Sequence, residues 1–141
     1  ARFAKVLGLP VAAGNKERVS DTKVVISGLV GSQVRGHKRA LIYDDEIATG
    51  GSILELSRVL IDEGVEDITV ICTHGVFSHG GLGKLAAVPE ISEVITTDTI
   101  YLPPEEKHPK LTVLSVAPIF AAAIRHNFNR ESLSDLFVFG E

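Results

Sequence analysis

The chain of 141 residues has one cysteine, Cys72, so an internal disulfide is excluded and a reducing compartment is expected. It has no apolar run approaching the ~20 residues of a membrane span, and no signal-peptide pattern at its start. A soluble, cytoplasmic chain without membrane partners is therefore expected. It also has no excess of positive charge: 14 Lys and Arg stand against 18 Asp and Glu, a net charge of −4. That balance argues against a broad nucleic-acid surface, and no nucleic-acid partner is expected. Repeats, low-complexity segments and obvious linkers are missing too. His79, His108 and His126 keep no metal-ligand spacing with any cysteine or acid pair. What is present is a 45% hydrophobic fraction, enough for one domain with a real core.

Along the chain, residues 1–7 read as a helix ended by Gly8 and Pro10. Residues 11–13 read as a short strand, residues 14–21 (GNKERVSD) as an exposed loop, and residues 23–29 as β-rich. With the polar connection 31–38, this region suggests a small antiparallel flap. A strand over 40–43 leads into a helix over 52–63, where Ile53, Leu56, Val59 and Leu60 share one face and Gly64 follows the last turn. Further strands are expected at 67–72, 93–96 and 111–115. A short helix is expected near 84–88, and another over 119–127 with Pro118 in its first turn. Strands alternating with helices predict an α/β, Rossmann-like parallel sheet with helices on both faces and ligands at the carboxyl ends of its strands. Cys72, within a strand, is expected to be buried and inert.

The stretch at 41–52, LIYDDEIATGGS, carries the most chemistry. Gly50 and Gly51 let the backbone turn tightly and let an anion approach the amides. The amides that follow open a helix, where they lack intrahelical acceptors and sit at the positive end of its dipole. Thr49 and Ser52 add hydroxyl donors, which together make a cup for a monoester phosphate. No Lys follows the glycines, so this is not a P-loop, and GxGxxG does not fit. Asp44 and Asp45 precede the cup by roughly one sugar's length at ~3.3 Å per extended residue. Carboxylates accept hydrogen bonds from vicinal hydroxyls and bind Mg²⁺. A ribose 5-phosphate moiety satisfies both features. An ordinary strand–turn–helix junction, with Asp45 as a cap, is the alternative.

LIYDDEIATGGS resembles the phosphoribosyl-diphosphate (PRPP) signature shared by type I phosphoribosyltransferases and ribose-phosphate pyrophosphokinases. The remainder resembles the C-terminal half of the pyrophosphokinases almost end to end: ARFAKVLGLP at 1–10, TTDTI at 96–100, LSVAP at 114–118 and IRHNFNRESLSDLF at 124–137. The resemblance implies a type I phosphoribosyltransferase fold, with residues 1–141 as one C-terminal domain and the N-terminal ATP-site half outside it. It implies catalytic roles for Lys16 and Arg18. Asp44, Asp45, Ala48, Thr49, Gly50, Gly51 and Ser52 would bind ribose 5-phosphate, with Asp44 and Asp45 on Mg²⁺. ATP is the implied co-substrate, PRPP the product, and full-length subunits are expected to form homo-oligomers. This chain alone is expected to show little or no kinase activity. His74 is read as a hydrogen-bonded structural histidine or a shaper of a ribose or allosteric pocket, Asp98 as orienting a loop, and Ser115 by analogy as a contact to a regulatory nucleotide. The sequence departs from the family where Ala48 replaces a usual third aspartate and where Glu17 separates the two basic residues. The alternatives are a phosphoribosyltransferase of the purine-salvage type and a non-catalytic, PRPP-synthetase-associated regulatory subunit.

Overall fold

The computed structural model describes residues 2–20, 23–30 and 34–137, with side chains for 4–12 and 34–137. A short helix, α1 (Arg2–Leu7), precedes an antiparallel hairpin of β1 (Ala13–Ser20) and β2 (Lys23–Val30). The hairpin is the expected flap, and its β2 strand lies near helix α2 (Gly51–Asp62). The segment read as an exposed loop after residue 13 is strand β1, in which Lys16 pairs with Ile26 and Arg18 with Val24. Its polar composition gives no strand signal, but the β-rich segment behind it supplies a ladder of backbone partners.

The main sheet is parallel and runs in the order β3 (Arg39–Ile47), β4 (Asp67–Gly75), β5 (Ile91–Thr97) and β6 (Leu111–Leu114). Each strand extends at one or both ends beyond its expected core except β6, which is a residue shorter. The flanking helices inferred from the alternation are α2 and α3 (Gly81–Ala86), and both pack on the same face. The reason is topological: the strands follow one another in one direction, and right-handed crossovers then deliver successive helices to one side.

That side holds the core. Ile42, Ile68, Val70, Cys72, Ile91 and Val94 point from the strands toward Ile53 and Leu60 of α2 and Leu82 and Leu85 of α3. Each such buried aliphatic side chain contributes about 1.5–3 kcal/mol relative to exposure. The other face is only partly covered, and Leu41, Tyr43 and Leu114 are exposed on it. Helix α4 (Ala117–Asn129), with Pro118 in its first turn as expected, buries no residue among those described.

Helix α2 stops where its sequence says it should. Gly64 takes a left-handed φ of 93°, its amide donates to the Ile61 carbonyl, and the Val65 amide donates to Leu60. This pair of bonds closes the last turn and starts the chain toward β4. Cys72 is buried as expected. Burial pushes its thiol pKa up, outweighing the hydrogen bond to Thr96, so the thiol stays protonated at neutral pH.

Candidate ribose-phosphate site

The carboxyl end of β3 delivers the chain directly into α2. Asp44, Asp45, Ala48, Thr49, Gly50, Gly51 and Ser52 all line one concavity of about 210 Å³ there, together with Glu46, Ile47 and Ile53. Gly50 makes the junction. Its φ of 80° is left-handed, and its carbonyl accepts the first α2 bond, from the Leu54 amide at 2.9 Å. Among the described residues, the amides of Ala48, Thr49, Gly50, Gly51, Ser52 and Ile53 donate to no protein acceptor. A run of N–H groups without protein acceptors at the positive end of a three-turn helix is chemically suited to an anion such as a phosphate.

The two aspartates approach this turn from opposite sides. Successive strand residues face opposite surfaces of a sheet. Asp44 therefore shares the side of its register partner Cys72, whose thiol feels the Asp44 charge, and Asp45 shares the side of Tyr43. Each carboxylate accepts the next amide in the chain: Asp45 N–H donates to Asp44 Oδ1 at 3.0 Å, and Glu46 N–H to Asp45 Oδ1 at 2.9 Å. These bonds hold both carboxylates along the chain rather than splayed outward. Among the described residues no group of three or more His, Cys, Asp or Glu side chains forms a ready metal cage. Two carboxylates suit Mg²⁺, which keeps waters and substrate oxygens in its shell instead of demanding an all-protein cage.

Lys16 and Arg18 lie on β1 of the separate hairpin, and their side chains fall outside the described residues. The sequence reading assigned no role to Glu46, which lines the same concavity, or to Ser78, whose hydroxyl donates to the Ala48 carbonyl at 3.1 Å.

The neighbouring strand ends are tied by hydroxyls. The Thr97 and Thr99 hydroxyls donate to the Thr73 carbonyl at 2.8 and 3.0 Å, and His74 Nδ1 lies 2.9 Å from Thr99 Oγ1. His74 is thus hydrogen-bonded and partly buried, in line with its structural reading. Asp98 accepts from the Ser115 hydroxyl at 2.6 Å and the Val116 amide at 2.8 Å, which orients the entry to α4. These two donors, the Ser115 hydroxyl first, lower the Asp98 pKa. Ser115 Oγ also accepts the Ala117 amide, so its hydroxyl is already engaged at both donor and acceptor.

Comparison with known proteins shows the family and the fold. Residues 8–138 match the family described as phosphoribosyl synthetase-associated domain. The chain is 43% identical over 137 residues to a Streptomyces coelicolor protein provisionally named ribose-phosphate pyrophosphokinase, covering 97% of this chain and 43% of that protein. It is 39% identical to the ribose-phosphate pyrophosphokinase of Caldanaerobacter subterraneus, covering 96% of this chain and 42% of the relative. The fold matches the crystal structure of phosphoribosylpyrophosphate synthetase from Mycobacterium smegmatis with a TM-score of 0.77 and 35% identity, over 92% of this chain and 40% of that one. The chain thus spans less than half the length of the relatives it matches. On the strength of a match that takes in the strand–turn–helix motif and the tail alike, the chain belongs to the phosphoribosyl synthetase-associated domain family, with the type I phosphoribosyltransferase fold.

Proposed function

We propose that this chain is the ribose-5-phosphate-binding half of a ribose-phosphate pyrophosphokinase, its residues 1–141 forming the C-terminal domain of that enzyme. The observation that carries the reading is the row of undonated amides from Ala48 to Ile53, facing a concavity that two aspartates share. In this reading Thr49, Gly50, Gly51 and Ser52 hold the 5-phosphate, Ala48 lines its approach, and Asp44 and Asp45 take the ribose hydroxyls. The same two carboxylates would hold Mg²⁺, which supplies charge neutralisation to the phosphates of ATP.

In the whole enzyme, the 1-hydroxyl oxygen of ribose 5-phosphate forms a bond to the β-phosphorus of ATP. The bond from that phosphorus to the α,β-bridging oxygen breaks, AMP leaves, the hydroxyl proton is lost, and PRPP results. Lys16 and Arg18 close over the transferring diphosphate, Arg18 as a planar fork and Lys16 as a point charge. Relatives more than twice as long support placing the ATP site mainly outside this chain, which is then expected to bind ribose 5-phosphate without turning it over. The exposed apolar side chains of α4, Phe120, Ile124 and Phe128, support assembly of full-length subunits into homo-oligomers.

The test is calorimetric titration of ribose 5-phosphate into the chain in the presence of Mg²⁺. Wild type should bind, and the double variant Asp44→Asn/Asp45→Asn should lose at least about tenfold in affinity, about 1.4 kcal/mol. Inorganic phosphate, which meets only the cup, should be held equally by both. No binding of ribose 5-phosphate by the wild-type chain would favour a non-catalytic associated subunit instead.

A further inference from the structure

The connection from β4 to α3 is strained, and the strain faces the phosphate turn. Phe77 and His79 both take left-handed φ values, 48° and 55°, although neither is glycine. Such conformations cost bulky residues free energy and persist only where the surroundings impose them. Phe77 is buried at 3% exposure, so its ring cannot swing out to relieve the backbone. Between these two residues stands Ser78, whose hydroxyl donates to the Ala48 carbonyl at 3.1 Å. The amides of Val76 and Phe77 both donate to the preceding carbonyl, Ile47, each at 3.1 Å. Gly81 completes the contact, for a β-carbon there would lie 3.0 Å from the Thr49 carbonyl oxygen.

The loop therefore grips consecutive carbonyls of the phosphate turn from behind. In a trans peptide the carbonyl and the next residue's N–H point in opposite directions across one plane. Fixing the Ile47 carbonyl to the rear turns the Ala48 N–H forward, and fixing the Ala48 carbonyl does the same for the Thr49 N–H. We propose that Ser78 is a positioning residue for the proposed phosphate cup: its hydroxyl sets the peptide plane that presents the Thr49 amide to the ligand's phosphate. The role rests on the ribose-5-phosphate reading for its ligand, but its geometry does not.

The test uses the wild-type chain with Ser78→Ala and Ser78→Thr. Losing one hydrogen bond worth about 1 kcal/mol should weaken both ribose 5-phosphate and inorganic phosphate by about fivefold in Ser78→Ala. Ser78→Thr keeps the hydroxyl and should return both affinities to within about twofold of wild type. A loss confined to ribose 5-phosphate, or no loss for either ligand, would overturn the proposal. A ligand-free readout separates this outcome from failure of the functional reading. The residual dipolar coupling of the Thr49 N–H vector should fall toward its motional average in Ser78→Ala and hold its wild-type value in Ser78→Thr. If wild type binds neither ligand, the functional reading fails, and the Thr49 coupling alone decides whether Ser78 sets the plane. An unchanged coupling in Ser78→Ala overturns the positioning role in either case.

Discussion

Replacing Gly75 with alanine should cost the fold about 3 kcal/mol, at the upper end of what overpacking a tight core does. Gly75 closes β4 just before the loop that contacts the 47–49 turn of the proposed phosphate site. A β-carbon there would overlap the Phe77 ring and lie 2.6 Å from Thr96 Oγ1. Neither neighbour can retreat cheaply. Phe77 is locked by its left-handed backbone and buried ring, and Thr96 is fully buried between the Cys72 thiol and the Thr73 carbonyl. The midpoint of urea unfolding should drop accordingly, with the slope unchanged. Gly83→Ala is the matched control, since nothing lies within 4 Å of a β-carbon at that helical position. It should leave stability unchanged or raise it slightly through the entropy of the unfolded chain. Equal midpoints for Gly75→Ala and wild type would show that the contact is not tight.

Gly50→Ala should reduce ribose 5-phosphate affinity by at least about tenfold, about 1.4 kcal/mol, and should do so through the backbone. The φ of 80° at Gly50 is strained for any residue with a side chain. The added methyl would also sit 3.3 Å from Leu85 Cγ and 3.4 Å from the Gly81 carbonyl. To relieve both, the turn must rotate, and the amides that line the concavity rotate with it. The thermal midpoint should fall along with the affinity. Gly51→Ala makes the contrast: its φ is ordinary, and its methyl would meet only Thr49 Oγ1, at 3.7 Å. That variant should keep its stability and lose affinity only by crowding the ligand. If Gly50→Ala bound ribose 5-phosphate as wild type does, the left-handed turn would not be what forms the cup.

How far the sequence foretold this can be read residue by residue. The strand, turn and helix from 39 to 62 were legible because each signal there is local. An apolar run enters, two glycines permit the turn, and Ile53 and Leu60 repeat at helical spacing. Gly64 was legible as a helix stop for the same reason. Strand β1 was not, because Asn15-Lys16-Glu17-Arg18 gains its extended form from β2 and not from its own composition. The one-sided placement of α2 and α3 needed the strand order, which no single segment carries. Ser78 was hidden most completely. Its partner, Ala48, lies 30 residues away in sequence, and a serine after Val76-Phe77 looks like any other loop residue. The strained φ values that mark it exist only in three dimensions.

In the proposed function the amides of the 48–53 turn receive the phosphate of ribose 5-phosphate. At 15.1 kDa the chain suits amide-resolved NMR, and ribose 5-phosphate can be titrated into the ¹⁵N-labelled protein with Mg²⁺ present. The Thr49, Gly50, Gly51, Ser52 and Ile53 resonances should move most, downfield as each N–H gains a charged acceptor, with Asp45 and Glu46 moving as the ribose settles. Saturable shifts centred elsewhere, with this row of amides unmoved, would contradict the proposed function.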